Sequence, residues 1–394
     1  MVFFTSITLN YLPKARILAQ SLKKYCPKDV FYLVLSDEIP DYITIEPELF
    51  DGVLKIEDLQ LPVENLSFWI FQHTVVELCT AVKGQAALRL LEITGQDKIV
   101  YLDPDIAVFN DLKPIEKWLD EYDVLLTPHI ATPEKEKKAI IHNELCFLQH
   151  GIYNFGFFAV RNNLRGLNFL NWWRDRLLDY CFDDIANGLF TDQKWGDIVP
   201  AIFEGVYIIK NPEYNVSTWN LSNRMVTKNR NGHYLVNGNP LQFYHFSGFD
   251  SGAQEKMLEI YGKTKEVWEL REWYITSEKS YGQDFLGNVP CVYNTYTNGE
   301  KITKKQRELL REREDLKAYF GETNPFHVYQ NEKCYKTWFD KEYDNQKSYD
   351  EKEDEIRLLK KQITDMESSK SWKITAPLRT IRKMILKRMR RRKN

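Results

Sequence analysis

The chain has 394 residues, enough for one large domain or two to three smaller ones. Hydrophobic residues make up 43% and charged residues 28%, with 18 Gly and 15 Pro, which excludes disordered, collagen-like and disulfide-scaffold classes. The formal net charge of −2 hides a division: residues 370–394 carry 11 Lys/Arg and no Asp/Glu, so residues 1–369 carry −13. No run approaches the roughly 18 apolar residues of a membrane span, and the opening MVFFTSITLNYLPKAR has no basic residue ahead of its apolar run. The six cysteines form neither CxxC nor a zinc-spaced Cys/His pair, so they read as reduced thiols of a cytoplasmic protein.

VFFTSITL (2–9) reads as a buried strand and PKARILAQSLKKYC after it has apolar residues at helical spacing. A second strand, FYLVLSD (31–37), precedes a helical pattern over 75–93 and the strand KIVYLDPDIAVF (98–109), interrupted by Asp-Pro-Asp. DVLLTPH (123–129) and GIYNFGFFAVR (151–161) continue the strands, 168–181 is an amphipathic helix in which Trp172 and Trp173 suit core packing, and VYIIKN (206–211) precedes LQFYHFSGF (241–249). Alternation of this kind predicts an α/β domain with a mainly parallel sheet flanked by helices. Four divisions are expected: an α/β domain over 1–254, a helical extension over 255–344, a short coiled-coil-like helix over 345–369 with Ile356, Leu359, Ile363 and Met366 at its seam, and a basic amphipathic tail over 370–394.

The chemistry concentrates at YLDPDIAVF. Asp103 and Asp105 end an apolar strand and Pro104 stops the ladder between them, so both carboxylates are presented where a hard divalent cation can be held with positions open for phosphate oxygens. An Asp-Pro turn without a metal has the same pattern. His245, at the end of the last strand of the α/β region, is either a hydrogen-bonded core residue or a third ligand, and an imidazole in the set favours Mn²⁺ over Mg²⁺. Asp197 and Asp250 read as caps or solvated residues, and Trp219 and Asn220 divide evenly between packing and ligand contact.

TSITLNY, KGQAALRLLE leading into DKIVYLDPDIAVF, then YNFGFFAV, TDQKWGDIVPAIF and FYHFSGF resemble, in that order, nucleotide-sugar-dependent glycosyltransferases of the GT-A fold. The order is similar to the retaining superfamily that includes glycogenin and the bacterial lipopolysaccharide galactosyltransferases, and YLDPDIAVF, GIYNFGFFAVRN, GLFTDQKWGDIVP, YNVSTWNL and HFSGFD together resemble bacterial surface-polysaccharide glycosyltransferases. The resemblance covers residues 1–250, and SYGQDFLGNVP and NPFHVY more faintly. It implies a GT-A fold with a helical C-terminal extension and a metal-dependent hexosyl transfer from a nucleoside diphosphate sugar, UDP first among them, to a glycan or lipid-linked acceptor with retention at the anomeric carbon. An inverting transferase on the same fold and a catalytically silent assembly module are the alternatives.

Carried onto this sequence, the resemblance implies that Thr5, Ser6 and Asn10 bracket the nucleoside and that Asp103, Asp105 and His245 hold Mn²⁺ (or Mg²⁺) on the diphosphate. Lys83 and Arg89 match basic positions facing diphosphate or sugar, Asn154 a sugar contact, and Asp192 and Gln193 the pair beside the anomeric carbon. The chain departs from the pattern at HFSGFDS, where the family has HxxGxxKPW, leaving Lys83 or Arg224 to replace the absent lysine. The tail, with Ile374, Leu378, Ile381 and Ile385 among its basic residues, is expected to lie on an anionic membrane surface at the inner face of the cell membrane. The acidic remainder and the lack of a nucleic-acid motif argue against a nucleic-acid partner, while a homo-oligomer is compatible with the sequence.

Overall fold

The structure is a computed structural model that describes residues 1–329, 333–342 and 359–361. It divides into two compact units, Met1–Phe326 and His327–Asn394. The coiled-coil-like segment expected over 345–369, apart from 359–361, and the basic tail over 370–394 lie outside the described residues. In the second unit residues 335–342 are helical, with Tyr335 stacked on Trp338 at 5.8 Å.

The strands of the first unit that build the site are β1 Val2–Ile7, β2 Val30–Leu35, β3 Gly52–Lys55, β4 Lys98–Leu102, β5 Ile106–Val108, β6 Val124–Pro128, β7 Tyr153–Arg161, β8 Val206–Ile208 and β9 Phe243–His245. Seven of them form one mixed sheet in the order β8-β6-β7-β4-β1-β2-β3. Every neighbouring pair is parallel except the two made by β7, which runs against β4 and β6. The mainly parallel sheet expected from the alternating pattern is therefore present, and its near-continuous apolar strands suit burial on both faces. Reversal of β7 has a direct consequence: its amino-terminal residues share an edge with the carboxyl ends of β1, β2, β4 and β6.

At Asp103 the chain leaves the main sheet. The Ile106 amide donates to the Asp103 carbonyl at 3.0 Å, closing a turn across Pro104, and β5 then pairs antiparallel with β9. His245 pairs with Ile106 in that ribbon, and the Phe246 amide donates to the Asp105 carbonyl at 2.8 Å.

Helices cover both faces. Leu12–Tyr25 buries Leu12, Ala15, Leu18, Ala19 and Leu22 in the cluster that includes Phe3, Leu33, Val100 and Phe157. On the other face Trp173, fully buried, packs against Phe155 and Phe158 at 5.0 and 4.9 Å, and Tyr101 stacks on Phe158 at 5.3 Å. The core reading of Trp173 thus holds, and Trp172 packs on Phe203 and Trp195. The helical run over 75–93 is two helices, Val75–Ala81 and Lys83–Thr94. Apolar spacing continues through the break, which lies in the backbone: the Val82 amide bonds the Leu78 and Thr80 carbonyls together and tightens the turn.

Beyond residue 255 the expected helices are present as Lys265–Ser280, Lys304–Glu312 and Glu314–Phe320, all within the first unit. Arg307 ties them to the α/β body by donating to the carbonyls of Phe71, His73 and Tyr293. Among the described residues no helix is long and apolar enough to cross a membrane.

Close packing sets the position of Lys83. A Cβ on Gly84 would lie 2.8 Å from the Arg174 Cα and 3.0 Å from its amide nitrogen, so the two helices meet only because this position has no side chain. Gly84→Ala should lower the urea midpoint with an unchanged m-value, overpacking costing about 1–3 kcal/mol against roughly 1 kcal/mol of helix propensity gained. An unchanged midpoint would show that the helices separate freely.

Candidate active site

The carboxyl edge of the sheet gathers side chains from five elements. Asp103 follows β4, Asp105 precedes β5, His245 ends β9, Asn154 opens β7 and Lys83 begins its helix. Asp103, Asp105 and His245 bring ligand atoms within 4.8 Å of one another, the one such group of three among the described residues. His245 Nε2 lies 3.0 Å from Asp105 Oδ1 and 3.7 Å from Asp103 Oδ2. The imidazole is buried, whereas the Asp103 side chain is 27% exposed, so the group is fixed at its back and open at its front.

A hydrogen-bonded chain decides which imidazole nitrogen faces the carboxylates. Asn215 Nδ2 donates to Thr127 Oγ1 and to Asn154 Oδ1, each at 2.9 Å, which turns its Oδ1 toward His245 Nδ1 at 3.2 Å. His245 then donates from Nδ1 and presents Nε2 to Asp103 and Asp105, the orientation a metal-binding histidine requires. Asn215 adopts φ 49°, a left-handed conformation that Asn tolerates better than most residues. Burial lowers the His245 pKa, but the charge and hydrogen bond of Asp105 outweigh it and the net shift is upward. For Asp105 burial acts upward, and the facing imidazole, helped by Lys14, carries the net shift downward. A divalent cation held by the two carboxylates would be met by the imidazole through Nε2, with Nδ1 engaged by Asn215.

Gly156 leaves the room for this arrangement. Its Cβ would stand 2.4 Å from His245 Cε1, 2.7 Å from Asp103 Oδ2 and 2.8 Å from Asn154 Oδ1. Two carboxylates, one imidazole and an open front are a donor set suited to Mn²⁺ or Mg²⁺.

Behind the triad lies a second ionic cluster. The buried Lys83 ammonium is 2.8 Å from Asp192 Oδ2 and 3.4 Å from Asp103 Oδ1, donates to the Phe155 carbonyl at 3.2 Å, and sits 4.2 Å from the Tyr101 ring centroid. Tyr101 Oη donates to Asp103 Oδ1 at 2.6 Å. Burial pulls the Lys83 pKa down, but Asp103 and Asp192 together leave it raised; burial leaves the Asp192 carboxyl raised against the opposing pull of Lys83. The turn carrying Asp192 is strained: Thr191, β-branched, sits at φ 46°. Such a conformation costs on the order of 1–3 kcal/mol and persists where the surroundings hold it. Gln193 is clamped, its Nε2 donating to the His150 carbonyl at 2.9 Å and its Oε1 accepting from Asn154 Nδ2 at 3.2 Å and the Phe155 amide at 3.4 Å.

Of the remaining sequence candidates, Thr5 Oγ1 and Ser6 Oγ are buried on β1 with no hydrogen-bond partner among the described residues, and Asn10 accepts from Thr8 Oγ1 at 2.6 Å. Arg89 is not brought to the cluster. It lies about 1.7 turns beyond Lys83 on the same helix, faces away, and pairs with Glu92 while donating to the Asp58 carbonyl. Arg224 is buried and donates to the carbonyls of Tyr214 and Asn215. Asn220 is structural, accepting from the Ser217 amide and donating to the His129 and Asn215 carbonyls; Trp219 packs edge-on to His245 at 5.2 Å. Asp197 is neither a helix cap nor a solvated residue: it accepts from the Ile152 amide, 45 residues away in sequence, and pairs with Lys194, tying two segments together.

Sequence reasoning passed over Asn215, His129 and Tyr101. His129 Nδ1 lies 3.2 Å from the Ile152 carbonyl and its Nε2 3.3 Å from Asn154 Nδ2, while burial lowers its pKa to about 3 and keeps it neutral. Asn215 stands inside the YNVSTWNL block, but nothing in its neighbours signals that it reaches β6 and β7.

The chain matches no protein-family profile. It is similar to two uncharacterized proteins of Bacillus subtilis (strain 168): YfnF, 29% identical over 170 residues, 43% of this chain, and YfnD, 23% identical over 258 residues, 63% of this chain. The match spans 55% of the length of YfnF and 77% of that of YfnD. Among solved structures, similarity is found to the galactosyltransferase LgtC in complex with donor and acceptor sugar analogs (15% identity, 68% of this chain, 99% of that chain, TM-score 0.35). It is found also to the apo-form glycosyltransferase GlyE of Streptococcus pneumoniae TIGR4 (14%, 75% of this chain, 66% of that chain, TM-score 0.39) and to mouse xyloside xylosyltransferase 1 (12%, 63% and 97%, TM-score 0.38). All three TM-scores lie below 0.5, so the functional reading rests on the geometry of the site.

If the triad holds a divalent cation, Gly156→Ala should leave the fold intact, by circular dichroism, and weaken Mn²⁺ binding read by electron paramagnetic resonance, because the new methyl group competes with His245 and Asp103 for one volume. Unaltered Mn²⁺ affinity would separate Gly156 from the site.

Proposed function

We propose that this chain is a metal-dependent glycosyltransferase of the GT-A type, moving a hexose from a nucleoside diphosphate sugar to a glycan or lipid-linked acceptor in surface polysaccharide synthesis. The observation that carries the reading is the Asp103, Asp105 and His245 group, open to solvent at the carboxyl edge of the sheet with the Lys83 and Asp192 pair buried behind it. Displacing a nucleoside diphosphate from C1 builds negative charge on the leaving group and positive charge on the sugar. Asp103, Asp105 and His245 would hold a divalent cation, Mn²⁺ before Mg²⁺, which when bound neutralises the diphosphate. Lys83 fixes the Asp103 carboxylate from behind and pairs with Asp192, opposing the upward pull of burial on that carboxyl. Thr5, Ser6 and Asn10 are assigned to the nucleoside, with UDP the first expectation, and Asn154 to the sugar.

Asp192 and Gln193 line the sugar side in this reading. Asp192 is buried and engaged by Lys83, and the Gln193 amide is a poor nucleophile held on both its polar atoms. We therefore favour same-face attack, in which the two side chains stabilise the cationic sugar and the configuration at C1 is retained. The basic tail is assigned to an anionic membrane surface at the inner face of the cell membrane.

A panel of UDP-, GDP- and dTDP-sugars with and without Mn²⁺, read by release of nucleotide, tests the activity. Asp105→Asn and Asp103→Asn should each lower turnover about 10²–10³-fold, the size of a principal electrostatic contributor, and EDTA should abolish it. Full activity in EDTA would refute the metal assignment, and no nucleotide release from any donor would leave the assembly-module reading in its place.

Product analysis by NMR should give the same anomer as the donor. The opposite anomer would require a carboxylate base and assign the enzyme to the inverting class.

A further inference from the structure

Lys14 and Tyr11 lie outside every assignment made above, yet they form a second cationic feature beside the triad. Lys14 projects from the first turn of Leu12–Tyr25, and its side chain is 2% exposed. Its ammonium pairs with Asp250 Oδ2, stands 3.9 Å from Glu278 Oε1 and lies 4.1 Å from the Tyr11 ring centroid. Tyr11 Oη donates to the same Asp250 Oδ2 at 2.8 Å. Asp250 follows β9 by a short turn, and its side chain is 48% exposed.

The asymmetry of this pair is informative. An ordinary surface ion pair joins two exposed groups and contributes about 0–1 kcal/mol. Here the cation is buried, at a desolvation cost, while the anion stands in solvent and can be replaced. Two donors, an ammonium and a phenol, converge on one carboxylate oxygen, as they would on a phosphate oxygen. The chain itself links the pair to the triad: His245 pairs with Ile106, the Phe246 amide donates to the Asp105 carbonyl at 2.8 Å, and Asp250, four residues on, meets Lys14 and Tyr11. Lys83 and Arg224 cannot take this part, the first being engaged by Asp192 and Asp103 and the second by backbone carbonyls.

We propose that Lys14 and Tyr11 form the subsite for a phosphate of the nucleoside diphosphate, with Asp250 holding that place in the free protein and yielding its oxygen's position when the ligand binds. The proposal rests on the nucleoside-diphosphate-sugar reading of the triad and adds to it a recognition element on the first helix.

Isothermal titration of the full chain with UDP and with UMP, each with Mn²⁺, tests this independently of turnover. Lys14→Met should weaken UDP about 10- to 100-fold, the scale of a hydrogen bond to a charged group, with a smaller effect on UMP, and should cause no loss of Mn²⁺ affinity in the absence of nucleotide. Lys14→Arg should restore most of the loss. Asp250→Asn should tighten UDP, since the competing charge is removed, and it serves if Lys14→Met does not fold. UDP affinity unchanged in Lys14→Met, or weakened in Asp250→Asn, would make the pair a structural latch and overturn the proposal while the triad reading stands. No binding of UDP, GDP or dTDP to the wild type would overturn both.

Discussion

One buried ammonium governs the site. Lys83 stands between Asp192 and Asp103 with almost no solvent contact, and without it two carboxylates would face each other at the edge of an apolar sheet. An isolated buried carboxylate is costly enough that it would neutralise instead, and the charge pattern at the open front would be lost. Lys83 also donates to the Phe155 carbonyl, so a single side chain joins the end of β4, the start of β7 and the strained turn at Thr191. Its location depends on Gly84, where two helices approach to backbone contact.

The asparagine chain does for orientation what Lys83 does for charge. An imidazole has two nitrogens and a rotatable ring, and only a partner on Nδ1 commits Nε2 to the front. Asn215 supplies that partner because its amide is committed elsewhere, to Thr127 and Asn154. Asn154 is in turn bonded to Gln193, so the imidazole at one end and the clamped amide at the other belong to one polar network. A network in which each member is satisfied rigidifies its surroundings, whereas a half-satisfied one destabilises them.

The front of the site carries more carboxylates than cations. Asp103, Asp105, Asp250 and Glu278 share the region with Lys14, and burial, together with the charges of Asp250 and Asp105, raises the Glu278 pKa to about 7 against the opposing pull of Lys14. On the proposed reading, an anion arriving with a divalent cation would meet this excess, the carboxylates as ligands and the lysine as a complement.

Much of this architecture is written in local sequence. Apolar runs at strand length, helical spacing between them and an Asp-Pro-Asp interruption are sufficient to place β1, β2, β4, β6 and β7 and to put two carboxylates at a strand's end, because alternation and turn chemistry act over a few residues. What tertiary structure alone decided is partnership. Lys83 and Arg89 look alike in sequence, but only the inward face of their helix meets Asp103 and Asp192, while Arg89 turns to Glu92. His245 becomes a neighbour of Asp105 through the β5–β9 ribbon, and Asn215 reaches it from a loop whose sequence shows no hydrogen-bond target. Lys14, one lysine among many in an amphipathic helix, is singled out by burial against Asp250, a residue that sequence separates from it by most of the α/β domain. Local patterns report which residues are presented at an edge; which of them meet is set by strand order and by the reversal of β7, and those are properties of long-range packing.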